Sequence, residues 1–63
     1  MSLLDEYYDR YKNPSDDVSK RILFAVVDDI TGRKGFDWDE IIGDNEIKEE
    51  LLETNLEKIR QHL

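Results

Sequence analysis

The largest group of side chains able to do chemistry in this 63-residue chain is its sixteen carboxylates. There is one histidine, His62, and no cysteine. A serine or cysteine nucleophile needs an imidazole beside it, oriented by a third group. His62, next to the last residue, has no cysteine to pair with and no second histidine with which to share a metal ion. Asp37 and Asp39 have the residue types for general acid–base work, which requires a cavity that pushes their pKa values apart. A chain this short leaves little room for such a pocket. The same aspartates invite comparison with a calcium loop starting at Asp37. That comparison fails: Ile41 stands at the fifth position, Gly43 arrives one place late, and Lys48 occupies the twelfth, where a bidentate glutamate is required. Arg33 and Lys34, between Gly32 and Gly35, form the one basic loop, but neither their spacing nor a preceding strand matches a phosphate cradle. The inventory predicts a protein that is not an enzyme and holds neither metal nor cofactor.

Charge says more. Sixteen acidic residues against nine Lys and Arg give a formal net charge of −7. The imbalance is local. From Asp37 to Glu57 there are nine acids and one base, Lys48, for −8, and the remainder sums to +1. Such a field repels nucleic acid and anionic membranes and attracts basic surfaces. Glu49, Glu53 and Glu57 are successive i,i+4 neighbours of like sign, which costs a helix about 0.2–0.5 kcal/mol per pair. Solvation alone is the ordinary reason for a glutamate-rich face. The near absence of interleaved lysine points further, to a partner. Glu46, Glu49, Glu50, Glu53 and Glu57 are therefore expected to line an exposed partner-binding face. Trp38 or Tyr11 is the expected anchor if either reaches the surface, although core packing is the commoner use of a tryptophan.

The elements that must carry these residues follow from the apolar pattern. Ile22-Leu23-Phe24-Ala25-Val26-Val27 is the only long apolar run. Asn13 is a good N-cap, Pro14 suits a first helical position, and Gly32 suits a left-handed stop. Between them Val18, Ile22, Val26 and Ile30 recur every fourth residue, so the spacing predicts a helix over 14–31. A strand is the alternative, because Val26, Val27, Ile30 and Thr31 are β-branched and the Gly32–Gly35 loop could close a hairpin onto Phe36–Trp38. A strand would place Asp28 and Asp29 on opposite faces, which argues against it. Leu3, Leu4, Tyr7, Tyr8 and Tyr11 predict a first helix over 2–12. Asp37 as cap and Gly43 as stop predict a helical turn at 37–42. Asp44 or Asn45 caps a last helix over 45–62, along which Ile47, Leu51, Leu52, Leu56, Ile59 and Leu63 keep helical spacing.

The expected fold is all-α, a small three-helix bundle with a short helical turn between helices 2 and 3, in one domain over residues 1–63. Ile22, Val26, Trp38, Leu51, Leu52 and Leu56 are expected in its core. The second helix has apolar residues over more than half its circumference. Phe24 or Val27 is then expected to face water and to make the molecule self-associate.

The longest apolar run is six residues, too short for a membrane span. The start lacks the layout of a signal peptide, and the lack of cysteine fits a reducing, cytoplasmic setting. The stretch from Glu49 to Leu63, with Phe36 and Trp38 ahead of it, resembles short proteins of bacteria and their phages; no motif there assigns a residue a role. The leading expectation is a non-enzymatic interaction module, of the kind that bacteria or phages use as regulators or inhibitors, docking on a basic surface of another protein without binding nucleic acid or membrane. One alternative is a nucleic-acid mimic occupying a DNA- or RNA-binding cleft. Another is a structural homo-oligomer, in which acidity only keeps the protein in solution.

Overall fold

Four helices and no strand make up residues 2–63, the part of the chain that the computed structural model describes. They are α1 (Leu3–Tyr8), α2 (Val18–Thr31), α3 (Trp38–Ile41) and α4 (Asn45–Gln61). The apolar run 22–27 lies inside α2, so the helical reading holds and the strand alternative is set aside. Each helix opens on a polar side chain that accepts a backbone N–H of its first turn: Ser2 from Asp5, Asp17 from Ser19, Asp37 from Asp39 and Asp44 from Glu46. These bonds satisfy donors that a helix start leaves without intrahelical partners.

Two boundaries differ from the sequence expectation. Helix α2 starts at Val18, not at Pro14, because Asp17 takes the cap that the sequence offered to Asn13. The Asp17 carboxylate accepts from the Ser19 N–H at 2.9 Å, the Ser19 hydroxyl at 2.5 Å and Arg60 at 2.6 Å. The Asn13 amide instead turns back to Asp9 at 2.6 Å. A cap anchored to the far end of α4 wins over one with only local support. Helix α1 stops at Tyr8, not at Lys12. Beyond it, Lys12 and Asn13 both donate backbone N–H groups to the Asp9 carbonyl, and the chain turns. The turn is pinned to α2, since Arg10 and Tyr11 reach opposite oxygens of Asp28 at 2.5 and 3.0 Å. Gly32 is right-handed at φ −80°, not the left-handed stop expected. The left-handed glycines are Gly35 at φ 86° and Gly43 at φ 69°.

Helices α2 and α4 run antiparallel. Arg60, near the end of α4, bonds Asp17 and Ser19 at the start of α2, while Leu51, earlier in α4, lines one cleft with Val27 and Ile30 near the end of α2. Helix α1 lies against this pair. The buried cluster is Leu3, Leu4 and Tyr7 of α1, Leu23, Phe24 and Val27 of α2, Trp38 of α3, and Leu52 and Leu56 of α4. The Tyr7 ring is its hub, edge-on to Phe24 at 5.7 Å and to Trp38 at 5.0 Å between centroids. Such pairs add about 0.5–1.5 kcal/mol each beyond area burial.

Trp38, Leu52 and Leu56 are in the core as expected, and Leu51 is half-buried. Ile22 and Val26 are not in it: they are 38 % and 51 % exposed, while Phe24 and Val27, expected at the surface, are buried. The helix is rotated relative to the expectation. Its two candidate stripes are Val18-Ile22-Val26-Ile30 and Leu23-Phe24-Val27, and the chain has partner surface for one of them. The second brings Phe24 onto Tyr7 and Leu23 toward the two buried leucines of α4, and it carries the bulkier ring. No helix among the described residues is long and apolar enough to cross a membrane.

Candidate functional site

Helix α4 sorts its charges by helical phase. Lys48, Leu52 and Leu56, one turn apart, point inward, and Glu46, Glu50, Glu53 and Glu57 point outward and are exposed. Lys48 is only 3 % exposed. Its ammonium pairs with Asp39 and lies 5.5 Å from the centre of the Trp38 ring. The hydrogen bond to Asp39 raises its pKa against the opposing effect of desolvation. This ion pair ties α3 to α4, and it removes from the outer face the one base in the acidic segment. Arg60 is drawn to Asp17, and Lys58, next to Glu57 in the last turns, is the one cation of α4 outside an ion pair among the described residues. Among the described residues, Glu46, Glu50, Glu53 and Glu57 form no ion pair.

Glu49 does something different. It is half-buried, and its two carboxylate oxygens accept the backbone N–H groups of Leu3 at 3.1 Å and Leu4 at 2.9 Å. A carboxylate from α4 thus serves as a second cap on α1, forty-five residues away in sequence. Burial pushes the Glu49 carboxyl up, but the bonds from Leu4 and Leu3 outweigh it, and its pKa lies below the usual carboxylate range. Glu49 is a structural residue, so the expected partner face loses it. Nothing in the sequence marks it apart from Glu46 or Glu53, because its partners are backbone groups brought to it by the fold.

Trp38 also differs from an exposed anchor. It is 6 % exposed, packed by Tyr7 and Tyr8 on one side and Lys48 on another. Its remaining edge forms the floor of a cleft of about 210 Å³ between α2, α3 and α4, lined also by Val27, Ile30, Thr31, Phe36, Ile41, Ile42 and Leu51. No titratable group lines it. The one polar side chain there, Thr31, has its hydroxyl 3.3 Å from that of Tyr7. The cleft can hold apolar groups. Phe36, Ile41 and Ile42, carried by the helical turn and the loop before it, frame this hollow, which no local sequence pattern marks. Tyr11, the other candidate anchor, is exposed, with its hydroxyl held by Asp28 and Arg10 over its ring.

No family model, curated protein or solved structure matches this chain. Among the described residues no group of three or more His, Cys, Asp or Glu side chains is placed to hold a metal ion, and His62 is exposed as the C-cap of α4.

Proposed function

We propose that this protein is a non-enzymatic interaction module that docks on a basic surface of another protein, steered there by the outer face of α4. The reading rests on one observation: Glu46, Glu50, Glu53 and Glu57 stand exposed while Lys48 and Arg60 are committed elsewhere in the chain. An uncompensated row of like charge costs helix stability and contributes nothing inside the molecule. Its effect in binding is on encounter, because charge steering acts mainly on association rate. The framework is that of a three-helix bundle, with α1, α2 and α4 as its helices and α3 as the connecting turn. In size and charge the module has the format of a regulator or inhibitor of bacterial or phage origin working in a reducing cytoplasm, an analogy of format alone.

The test begins with capture of the partner from the native host by the tagged protein. Glu50, Glu53 and Glu57 are then replaced together by lysine. The variant is expected to keep its helical circular dichroism spectrum and to bind with a slower on-rate whose salt dependence is reduced. An unchanged on-rate would reduce the glutamates to a solvated face. Competition by duplex DNA for the same partner site would shift the reading to nucleic-acid mimicry.

A further inference from the structure

We infer that the side of the α2/α4 pair away from α1 is a docking groove for an amphipathic helix with an apolar face and Lys or Arg along its edges. This rests on the basic partner proposed above and names the element of it that binds. Phe24, which meets Tyr7 of α1, and Ile22 are two residues apart and so point in nearly opposite directions around α2. Ile22, Val26 and Ile30 follow one another at one-turn spacing on that far side, exposed by 38 %, 51 % and 48 %. With Val18, exposed by 59 %, the stripe runs over three turns, about 18 Å. Glu49 holds α1, and Leu51, two residues further on, faces the other way across α4.

The stripe does not end in solvent. Ile30 is its last member and the first wall of the cleft over Trp38, where Phe36 and Ile41 stand 57 % and 60 % exposed. A continuous apolar surface of this kind on a chain so rich in charge marks an interface. Its shape is a ridge of side chains one turn apart leading to a pocket. That geometry suits a helix whose own i, i+4 residues lie along the ridge while one large side chain fills the pocket.

Charge chooses the occupant. The rim on the α3 side is acidic, with Asp37 and Glu40 exposed beside Asp39, which is paired with Lys48, and Glu50 stands on the next face of α4; Arg21, beside Val18 and Ile22, is the cation at the far end of the stripe. A second copy of this chain would bring another −7 against it, with the same acidic segment beside the same groove. A helix edged with lysine or arginine meets the rim with opposite sign, while its apolar face covers Ile22, Val26 and Ile30.

Trp38 is the only tryptophan, and it floors the cleft, so its fluorescence reports occupancy. The probes are three synthetic amphipathic peptides, each about fourteen residues long to match the groove. One carries leucines on one face and lysines at the edges, the second has alanine for leucine, and the third has glutamate for lysine. The full-length protein is expected to bind the leucine–lysine peptide one to one with a saturable change in Trp38 emission, and the other two at least about tenfold more weakly. Ile30→Ser and Ile41→Ser change exposed residues, so both should keep the wild-type circular dichroism spectrum. Each is expected to weaken the leucine–lysine peptide by about tenfold. Equal binding of the leucine and alanine peptides, or no effect of either serine variant, would overturn the groove. Concentration-dependent dimerisation that Ile30→Ser abolishes would overturn the choice of occupant in favour of a second copy. Against the captured partner, the two readings separate. Loss of binding in the lysine-reversed α4 variant but in neither serine variant defeats the groove and leaves the acidic face. The opposite pattern defeats the acidic face.

Discussion

Asp17 and Glu49 show how much of this structure rests on carboxylates placed at helix starts. Both accept backbone N–H groups, and both have pKa values below their usual range, Asp17 at about 2. The Asp17 shift comes first from the Ser19 hydroxyl and then from Arg60. A carboxyl whose folded-state pKa is depressed stabilises the fold above its unfolded pKa, and that contribution is lost as pH falls through the folded value. Stability is therefore expected to decline between about pH 4 and pH 2. Thermal unfolding across that interval checks this. Asp17→Asn keeps a capping side chain but loses the titration, so its decline should be shallower than that of the wild type. Parallel declines would remove Asp17 as a cause. Glu49 titrates in the same direction, so some decline should persist in the variant.

At the scale of the elements, the rotation of α2 decides which substitutions matter. Leu23 is 2 % exposed and sits in the core cluster. Leu23→Ala is expected to cost about 2–5 kcal/mol, a large share of what so small a domain can have. Val26→Ala, three residues on but on the open side, should stay within about 0.5 kcal/mol of wild type. Urea titrations of the two variants would check this. The opposite ranking would mean that the Val18-Ile22-Val26-Ile30 stripe is the core face after all. Helix α3 is a different kind of element, a single turn with too few residues to hold itself. Its position depends on Trp38 packing under Tyr7 and Tyr8 and on the Asp39–Lys48 pair, so the cleft's floor and its rim are placed by the same five residues.

For the whole molecule the governing quantity is the asymmetry of charge. Ion pairs tie the turn after α1 to α2, the body of α1 to α2, and the start of α2 to the end of α4, through Arg10–Asp28, Glu6–Lys20 and Asp17–Arg60. What is left over is acidic on balance, and Glu46, Glu50, Glu53 and Glu57 gather four of those acids on one face of α4. At 0.1 M salt the Debye length is about 10 Å, so repulsion between exposed like charges farther apart than that is largely screened and closer repulsion is weakened. The melting temperature is therefore expected to rise with added sodium chloride at neutral pH. It should rise less in the variant with Glu50, Glu53 and Glu57 reversed to lysine. A fall with salt in the wild type would show that the attractive pairs outweigh the acidic face.

Legible in the residues alone were the helical class, the N-cap at Asp37, that of α4 to within Asp44 or Asn45, and the interior places of Trp38, Leu52 and Leu56. They were so because capping, glycine stops and a strongly periodic apolar face are local properties, readable within one or two turns. The sequence also located the acid excess between Asp37 and Glu57. On α2 the every-fourth-residue repeat pointed to Val18-Ile22-Val26-Ile30 as the core face, and the structure buries Leu23-Phe24-Val27 instead. The choice depended on where α1 and α4 could bring Tyr7, Leu52 and Leu56. The sequence could not separate Glu49 from its neighbours or send Lys48 inward, because the partners of both lie on other helices. The cap at Asp17 needed Arg60, and the cleft needed three helices at once. Only tertiary packing decided these features, because each exists only where residues distant in the chain meet.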